Sequence, residues 1–304
     1  MTRTGRKALV TLAALCAALV VPQSLTAQPA PRGAPPANGP PRIPQRAPDP
    51  RVQQKTYTLA PTGEQMKYTL FVSSKVRPGV PAPLIVALHG YGGDSNFIVR
   101  DRLVDLAEQG GYVVVGPMGY NFTGWYGSPV ILIGGGEIKP SNLTQLSELD
   151  VLNVLALAQA QFTIDPNRIY LMGHSMGGAG TIFLGQKHSE IWAAAAAIAP
   201  AAFMMQRDEA TLLGHFKDAK LPLMITQGDA DNVVPPAGTR TWAAAMDRLG
   251  MEHAYVEKPG LDHGTIIPAS MDDIFRFFEA HKRTPPPPFA PPGRPAGAPP
   301  PARP

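Results

Sequence analysis

A chain of 304 residues is long enough for one or two domains, but ten of its 35 prolines lie in residues 22–50 and eleven in residues 285–304. The interval between them, 51–283, suits one α/β domain better than two small ones. It holds 19 Lys and Arg against 22 Asp and Glu, so the formal +4 of the whole chain belongs to its ends, and no basic face for nucleic acid is supported in the middle.

In chain order, residues 1–27 read as an export signal. Arg3, Arg6 and Lys7 form a cationic start, residues 8–21 are apolar or small, and Ser24 to Ala27 offers a small residue for cleavage. The apolar run is shorter than the roughly 20 residues a membrane-spanning helix needs. A secreted or periplasmic protein with no stable membrane anchor after cleavage is therefore expected. Cys16, the only cysteine, lies inside this segment behind Leu15, where a lipid-attachment site would want a small residue. The mature chain would then have no disulfide, thiolate nucleophile or Cys-bound zinc. Residues 28–50 and 284–304 are proline-rich with few large apolar side chains, and read as a disordered linker and tail.

Within 51–283, short apolar runs alternate with helix-like stretches. Segments 54–59 and 66–72 flank Pro61, Thr62 and Gly63 and predict an antiparallel hairpin. Segments 84–88, 112–115, 169–172, 192–198, 223–226 and 254–257 lack clear alternation, as strands buried on both faces do. Helices are predicted over 100–109, 149–162, 176–187, 237–249 and 271–281. This alternation implies a mostly parallel sheet with helices on both faces. Chemistry in such sheets sits on loops at the carboxyl ends of strands.

Four loops in that position carry it. After the strand at 169–172 comes Gly173, His174, Ser175, Met176, Gly177 and Gly178, where a tight strand-to-helix turn would hold a serine hydroxyl in the open. After 84–88 comes His89, Gly90, Tyr91, Gly92 and Gly93, a loop suited to donating a backbone N–H to a developing oxyanion, the second N–H coming from Met176. Tyr91 is the favoured donor and Gly90 the alternative; His89 reads as a prop for the loop. After 223–226, Asp229 and Asp231 both suit the acid that orients an imidazole, with Asp231 favoured for lying further from the strand. After 254–257, His263 sits in a glycine-flanked loop and completes the order Ser, Asp, His. No HExxH or comparable cluster suggests a metal, and no cofactor is implied.

The hairpin start, His89 and Gly90, the run from Ile164 to Gly178, the loop Gly228 to Asp231, and His263 together resemble the α/β-hydrolase superfamily. More narrowly they resemble the exported esterase group that contains feruloyl esterases and polyhydroxyalkanoate depolymerases, with prolyl-oligopeptidase-like hydrolases as cousins. The resemblance spans about residues 52–281 and implies an α/β-hydrolase fold. It also implies nucleophile Ser175, acid Asp231, base His263 and oxyanion donors Tyr91 and Met176, and its G-x-x-D loop favours Asp231 over Asp229. Many exported members carry cysteines that this chain lacks, so the substrate class is not carried over.

Residues 116–148 form a long connection with Trp125 and Tyr126 beside glycines, a candidate wall for an acyl or aryl pocket or else simple loop packing. The expected partner is a small-molecule or polymeric ester, cleaved through an acyl-enzyme. Peptide or thioester hydrolysis is a second enzymatic reading. A surface-binding protein on a hydrolase scaffold is the reading from another class.

Overall fold

The computed structural model describes residues 46–283, the side chains of Met204, Gln206 and Arg207 excepted. The expected export signal, most of the proline-rich linker and the proline-rich tail lie outside the described residues. Strands β1 (Gln53–Leu59) and β2 (Glu64–Val72) form the expected antiparallel hairpin, in register from Gln53 opposite Leu70 to Leu59 opposite Glu64. Its turn closes where the N–H of Gly63 donates to the Leu59 carbonyl at 2.8 Å, with Gly63 at φ 69°. That left-handed backbone is where glycine carries no steric cost.

Six further strands follow: β3 (Ala82–Leu88), β4 (Val113–Pro117), β5 (Ile164–His174), β6 (Ala194–Ile198), β7 (Leu223–Gly228) and β8 (His253–Lys258). The eight make one sheet in the order β1-β2-β4-β3-β5-β6-β7-β8. Only β1–β2 and β2–β4 are antiparallel. The helices are α1 (Asp101–Gly110), α2 (Leu143–Gln161), α3 (Met176–Lys187), α4 (Glu209–Asp218), α5 (Pro236–Leu249) and α6 (Ile266–Ala280).

Strand alternation sorts the core into two layers. Leu84, Val86 and Leu88 of β3 point one way, with Ile169, Leu171, Leu223 and Ile225, and pack against α2, α3, α4 and α5. Ile85 and Ala87 point the other way, with Tyr170, Met172 and Met224, and pack against α1 and α6. Every residue of β3 is buried, which is why its sequence shows a continuous apolar run instead of alternation. Each fully buried Leu or Ile contributes roughly 1.5–3 kcal/mol of burial.

Two helices differ from expectation. α2 begins at Leu143, six residues before the predicted start, because Leu143, Leu146 and Ser147 extend the buried face of Asp150, Val151 and Val154 by two turns. α4 falls where the sequence predicts no helix; of its ten residues only Leu213 and Phe216 are buried, too narrow a stripe to stand out in sequence. The connection read as 116–148 is correspondingly shortened.

Candidate active site

The serine lies where β5 ends and α3 begins. Ser175 has φ 57° and ψ −114°, a conformation that non-glycine residues rarely adopt. It is held there from both sides: its N–H donates to the Ile198 carbonyl at 2.9 Å, and its own carbonyl accepts from the N–H of Ala201 at 2.9 Å. The glycines around it admit the tight approach that this turn needs. A Cβ on Gly173 would lie 2.3 Å from the Gly177 carbonyl oxygen, and one on Gly177 would lie 2.3 Å from that of Leu88. The first turn of α3 therefore rests directly on the end of β3. Ser175 is 8 % exposed, and Met176 opens the helix with an N–H that has no intrahelical acceptor.

Two more loops meet at the same sheet edge. The Asp231 carboxylate lies on the loop after β7, with Oδ2 2.7 Å from Nδ1 of His263 on the loop after β8. Its other oxygen accepts from the N–H groups of Val233 and Val234, both at 2.8 Å, while the Gln227 side-chain amide donates to Oδ2 at 3.1 Å. Asp231 is thus buried and fully hydrogen-bonded, as a buried carboxylate must be. Asp229 takes another part: Oδ1 accepts from the N–H of Gly260 at 2.6 Å, and the N–H of Ala230 donates to the Leu261 carbonyl at 3.1 Å, lacing the two loops together. Gly228 permits this closeness, since a Cβ there would lie 2.1 Å from the Leu261 carbonyl oxygen. Just before His263, the Asp262 carboxylate accepts from the N–H groups of Gly264 and Thr265 and from the Thr265 hydroxyl, and these bonds hold its pKa below the usual carboxylate range.

The loop after β3 completes the edge. His89 is buried, with Nε2 2.9 Å from the Met118 carbonyl and Nδ1 2.8 Å from that of Gly90. Burial pushes its pKa down, so the neutral ring has one proton to donate to one of these two carbonyls, and its place between them sets the loop beside the residues after β4. No backbone acceptor among the described residues takes the N–H of Gly90 or Tyr91. The expected pocket wall is different in kind. Trp125 and Tyr126 are 3 % and 0 % exposed; Tyr126 donates its hydroxyl to the His89 carbonyl at 3.2 Å, and the Trp125 indole donates to Ile131 at 3.0 Å while its ring packs on Tyr91. Both are struts under the Tyr91 loop, not faces offered to a substrate.

The structure brings Asp231 and His263 into contact and sets Ser175, Met176 and Tyr91 at the carboxyl edge of the same sheet. No hydrogen bond joins the Ser175 hydroxyl to His263 among the described residues. Three neighbours escaped the sequence reading. His174 donates through Nε2 to the His263 carbonyl at 2.8 Å, Gln227 supports Asp231, and Asp150 of α2 accepts from the Tyr57 hydroxyl at 2.5 Å and from the N–H groups of Gly119 at 2.6 Å and Tyr120 at 3.3 Å. For His174 the only signal was its place inside the serine turn. For Asp150 it was a carboxylate within an otherwise apolar helical face.

Comparison with known proteins accords with this geometry. The profile of the prolyl oligopeptidase family matches residues 142–216 and 206–282. Feruloyl esterase B of Neurospora crassa is 31 % identical over 118 residues, which cover 38 % of this chain and 37 % of that protein. The chain spans between 37 % and 56 % of the length of the curated relatives it matches. Among solved structures, a thermostable esterase superimposes with a TM-score of 0.60 at 24 % identity, covering 77 % of this chain and 63 % of its own. A ferulic acid esterase of Anaeromyces mucronatus superimposes with a TM-score of 0.60 at 18 % identity, covering 79 % of this chain and 95 % of its own. At these identities the two structures speak to the fold alone. The chain has an α/β-hydrolase fold and is similar, over part of its length, to feruloyl esterase B and to the prolyl oligopeptidase family.

Proposed function

We propose that the protein is a serine carboxylester hydrolase working through an acyl-enzyme. Ser175 Oγ attacks the ester carbonyl carbon as His263 Nε2 takes its proton, and the oxyanion is received by the N–H groups of Met176 and Tyr91. His263 then returns the proton to the departing alkoxide, and water activated by the same imidazole frees the acid. Asp231 holds the ring by Nδ1 and stabilises the imidazolium that forms. The 2.7 Å contact between Asp231 and His263, at the sheet edge that bears a strained serine turn, is the observation that carries this reading.

Short-chain, aromatic and polyester-type esters are the proposed substrates. An apolar groove lined by Ala202, Phe203, Val234, Pro235 and Trp242 adjoins the loop whose Ala201 N–H is bonded to Ser175, and Phe203 is 47 % exposed beside it. Exposed apolar side chains at a catalytic edge suit a neutral, apolar acyl or alcohol group. The cationic and apolar start of the chain supports action outside the cytoplasm. A peptidase or thioesterase is the second reading, favoured by the match to the prolyl oligopeptidase family.

Purified protein and its Ser175→Ala variant test the core of the proposal. The wild type should hydrolyse p-nitrophenyl acetate and take up a fluorophosphonate probe, and the folded variant should do neither. Hydrolysis at the wild-type rate by Ser175→Ala would overturn the mechanism, and an unlabelled, inactive wild type would favour a binding protein. Rates on matched ester, thioester and peptidyl substrates separate the enzymatic readings.

A further inference from the structure

His174, the residue immediately before Ser175, touches the loops after β3 and β8. It is the last residue of β5, buried, and its ring lies between those of Phe97, stacked at 5.9 Å, and His263, tilted at 4.5 Å. Nε2 donates to the backbone carbonyl of His263 at 2.8 Å. The other nitrogen, Nδ1, is buried without a hydrogen-bond partner and faces Gly90, where a Cβ would come within 3.1 Å of it. A carbonyl can only accept, so the ring proton sits on Nε2 and Nδ1 carries the lone pair.

We propose that His174 is a positioning residue that locks the backbone of the His263 loop to the serine turn, so that the imidazole of His263 is presented to Ser175 in a fixed place. This rests on the serine-hydrolase reading above. Three observations carry it. The Asp231 contact fixes the His263 ring at Nδ1 but not the backbone that bears it. That backbone is laced to the loop after β7 ahead of His263, through the bonds of Gly260 and Leu261 to Asp229 and Ala230. The bond from His174 takes the carbonyl of His263 itself, from the residue adjoining the nucleophile, so one donor ties the base to the serine turn.

The charge state of His174 fits the same role. Burial, aided by the neighbouring His263, pushes its pKa down to about 3, so it stays neutral wherever His263 can act as a base. An imidazolium at that place would oppose the positive charge that His263 gains on taking the serine proton. A phenylalanine would pack as well between Phe97 and His263 but has no donor, and that distinguishes positioning from simple packing.

Two variants and one spectrum test it. His174→Phe removes the donor and keeps the ring. Displacement of a catalytic group by about 1 Å can cost on the order of a hundredfold, so kcat should fall about 10- to 100-fold with KM nearly unchanged, and the acid limb of the kcat/KM pH profile should move. His174→Gln, whose side-chain amide nitrogen reaches about where Nε2 lies, should recover kcat to within about threefold of the wild type. In 15N-imidazole NMR of the wild type, His174 should appear as the neutral Nε2–H form throughout pH 5 to 8. Wild-type kcat and pH profile in folded His174→Phe would overturn the proposal. So would a His174→Gln variant no better than His174→Phe, or a His174 that titrates in that range. An inactive, unlabelled wild type would instead sink the hydrolase reading, and the NMR experiment would still report on the His174 contact.

Discussion

Asp231 accepts His263 Nδ1–H at 2.7 Å, while Asp229, two residues earlier, accepts the backbone N–H of Gly260 at 2.6 Å. The two carboxylates are therefore separable by substitution. Asp231→Asn keeps the shape but presents an amide to Nδ1, which favours the wrong tautomer. By analogy with other serine triads, kcat should fall by about 10³- to 10⁴-fold. Asp229→Asn keeps an acceptor for Gly260 and should stay within about threefold of the wild type, since it changes no contact of His263. Steady-state kinetics on one activated ester decides it, and comparable losses in the two variants would contradict the assignment of roles.

The Ser175 conformation stores strain in the folded protein. Its φ of 57° and ψ of −114° lie where glycine is at ease and a Cβ is not. Ser175→Ala retains the Cβ and so the strain, whereas Ser175→Gly releases it. Both should be inactive, but the glycine variant should be the more stable by about 1 kcal/mol in urea unfolding, even after the roughly 0.5–1 kcal/mol by which glycine favours the unfolded chain. A glycine variant less stable than the alanine variant would show that the turn is unstrained.

The sequence disclosed most of this arrangement because its signals are local. Strands buried on both faces read as apolar runs, and Gly173, Gly177 and Gly228 mark close backbone approaches next to the residues that matter. What it concealed was either weakly patterned or distant. α4 buries only Leu213 and Phe216, so its helical period is nearly silent. The bond from His174 to His263 joins residues 89 positions apart and depends on how two loops close. Trp125 and Tyr126 illustrate a further limit: an aromatic pair beside glycines fits a pocket wall or a strut equally well, and only burial distinguishes them.

Gly177 tests how closely α3 must rest on β3. An alanine there would place its Cβ 2.3 Å from the Leu88 carbonyl oxygen and 2.7 Å from that of His89, both backbone atoms that cannot swing aside. Overpacking of this kind costs about 1–3 kcal/mol, and for a domain of this size that is a fall in Tm of about 3–10 °C. Because α3 must move to relieve it, the Met176 and Tyr91 N–H groups should separate and kcat should drop as well. Gly214, in α4 with open space around it, is the control: Gly214→Ala should stabilise by about 0.4–1 kcal/mol and leave kinetics unchanged. Equal behaviour of the two variants in thermal unfolding would contradict the packing argument.

Asp150 gives stability a pH dependence. Its carboxyl is completely buried, and that burial pushes its pKa from 3.8 up to about 6, although hydrogen bonds from Tyr57, Gly119 and Tyr120 pull it down. Between these values the native protein holds a proton that the unfolded chain has released. The native state is therefore favoured at low pH by this group, and the advantage is lost as pH rises from about 4 through about 6. The loss should amount to roughly 3 kcal/mol, at about 1.4 kcal/mol per pH unit. Asp150→Asn cannot titrate, so its stability relative to the wild type should improve steadily over that interval. Urea unfolding at pH 4, 5, 6 and 7 measures the difference, and a gap that stays constant would refute the raised pKa. Asp150→Ala should behave otherwise at every pH. It leaves the Tyr57 hydroxyl and the Gly119 N–H without their acceptor, each costing about 1–3 kcal/mol. It also loosens the segment whose Met118 carbonyl lies 2.9 Å from Nε2 of His89, so kcat should fall along with stability.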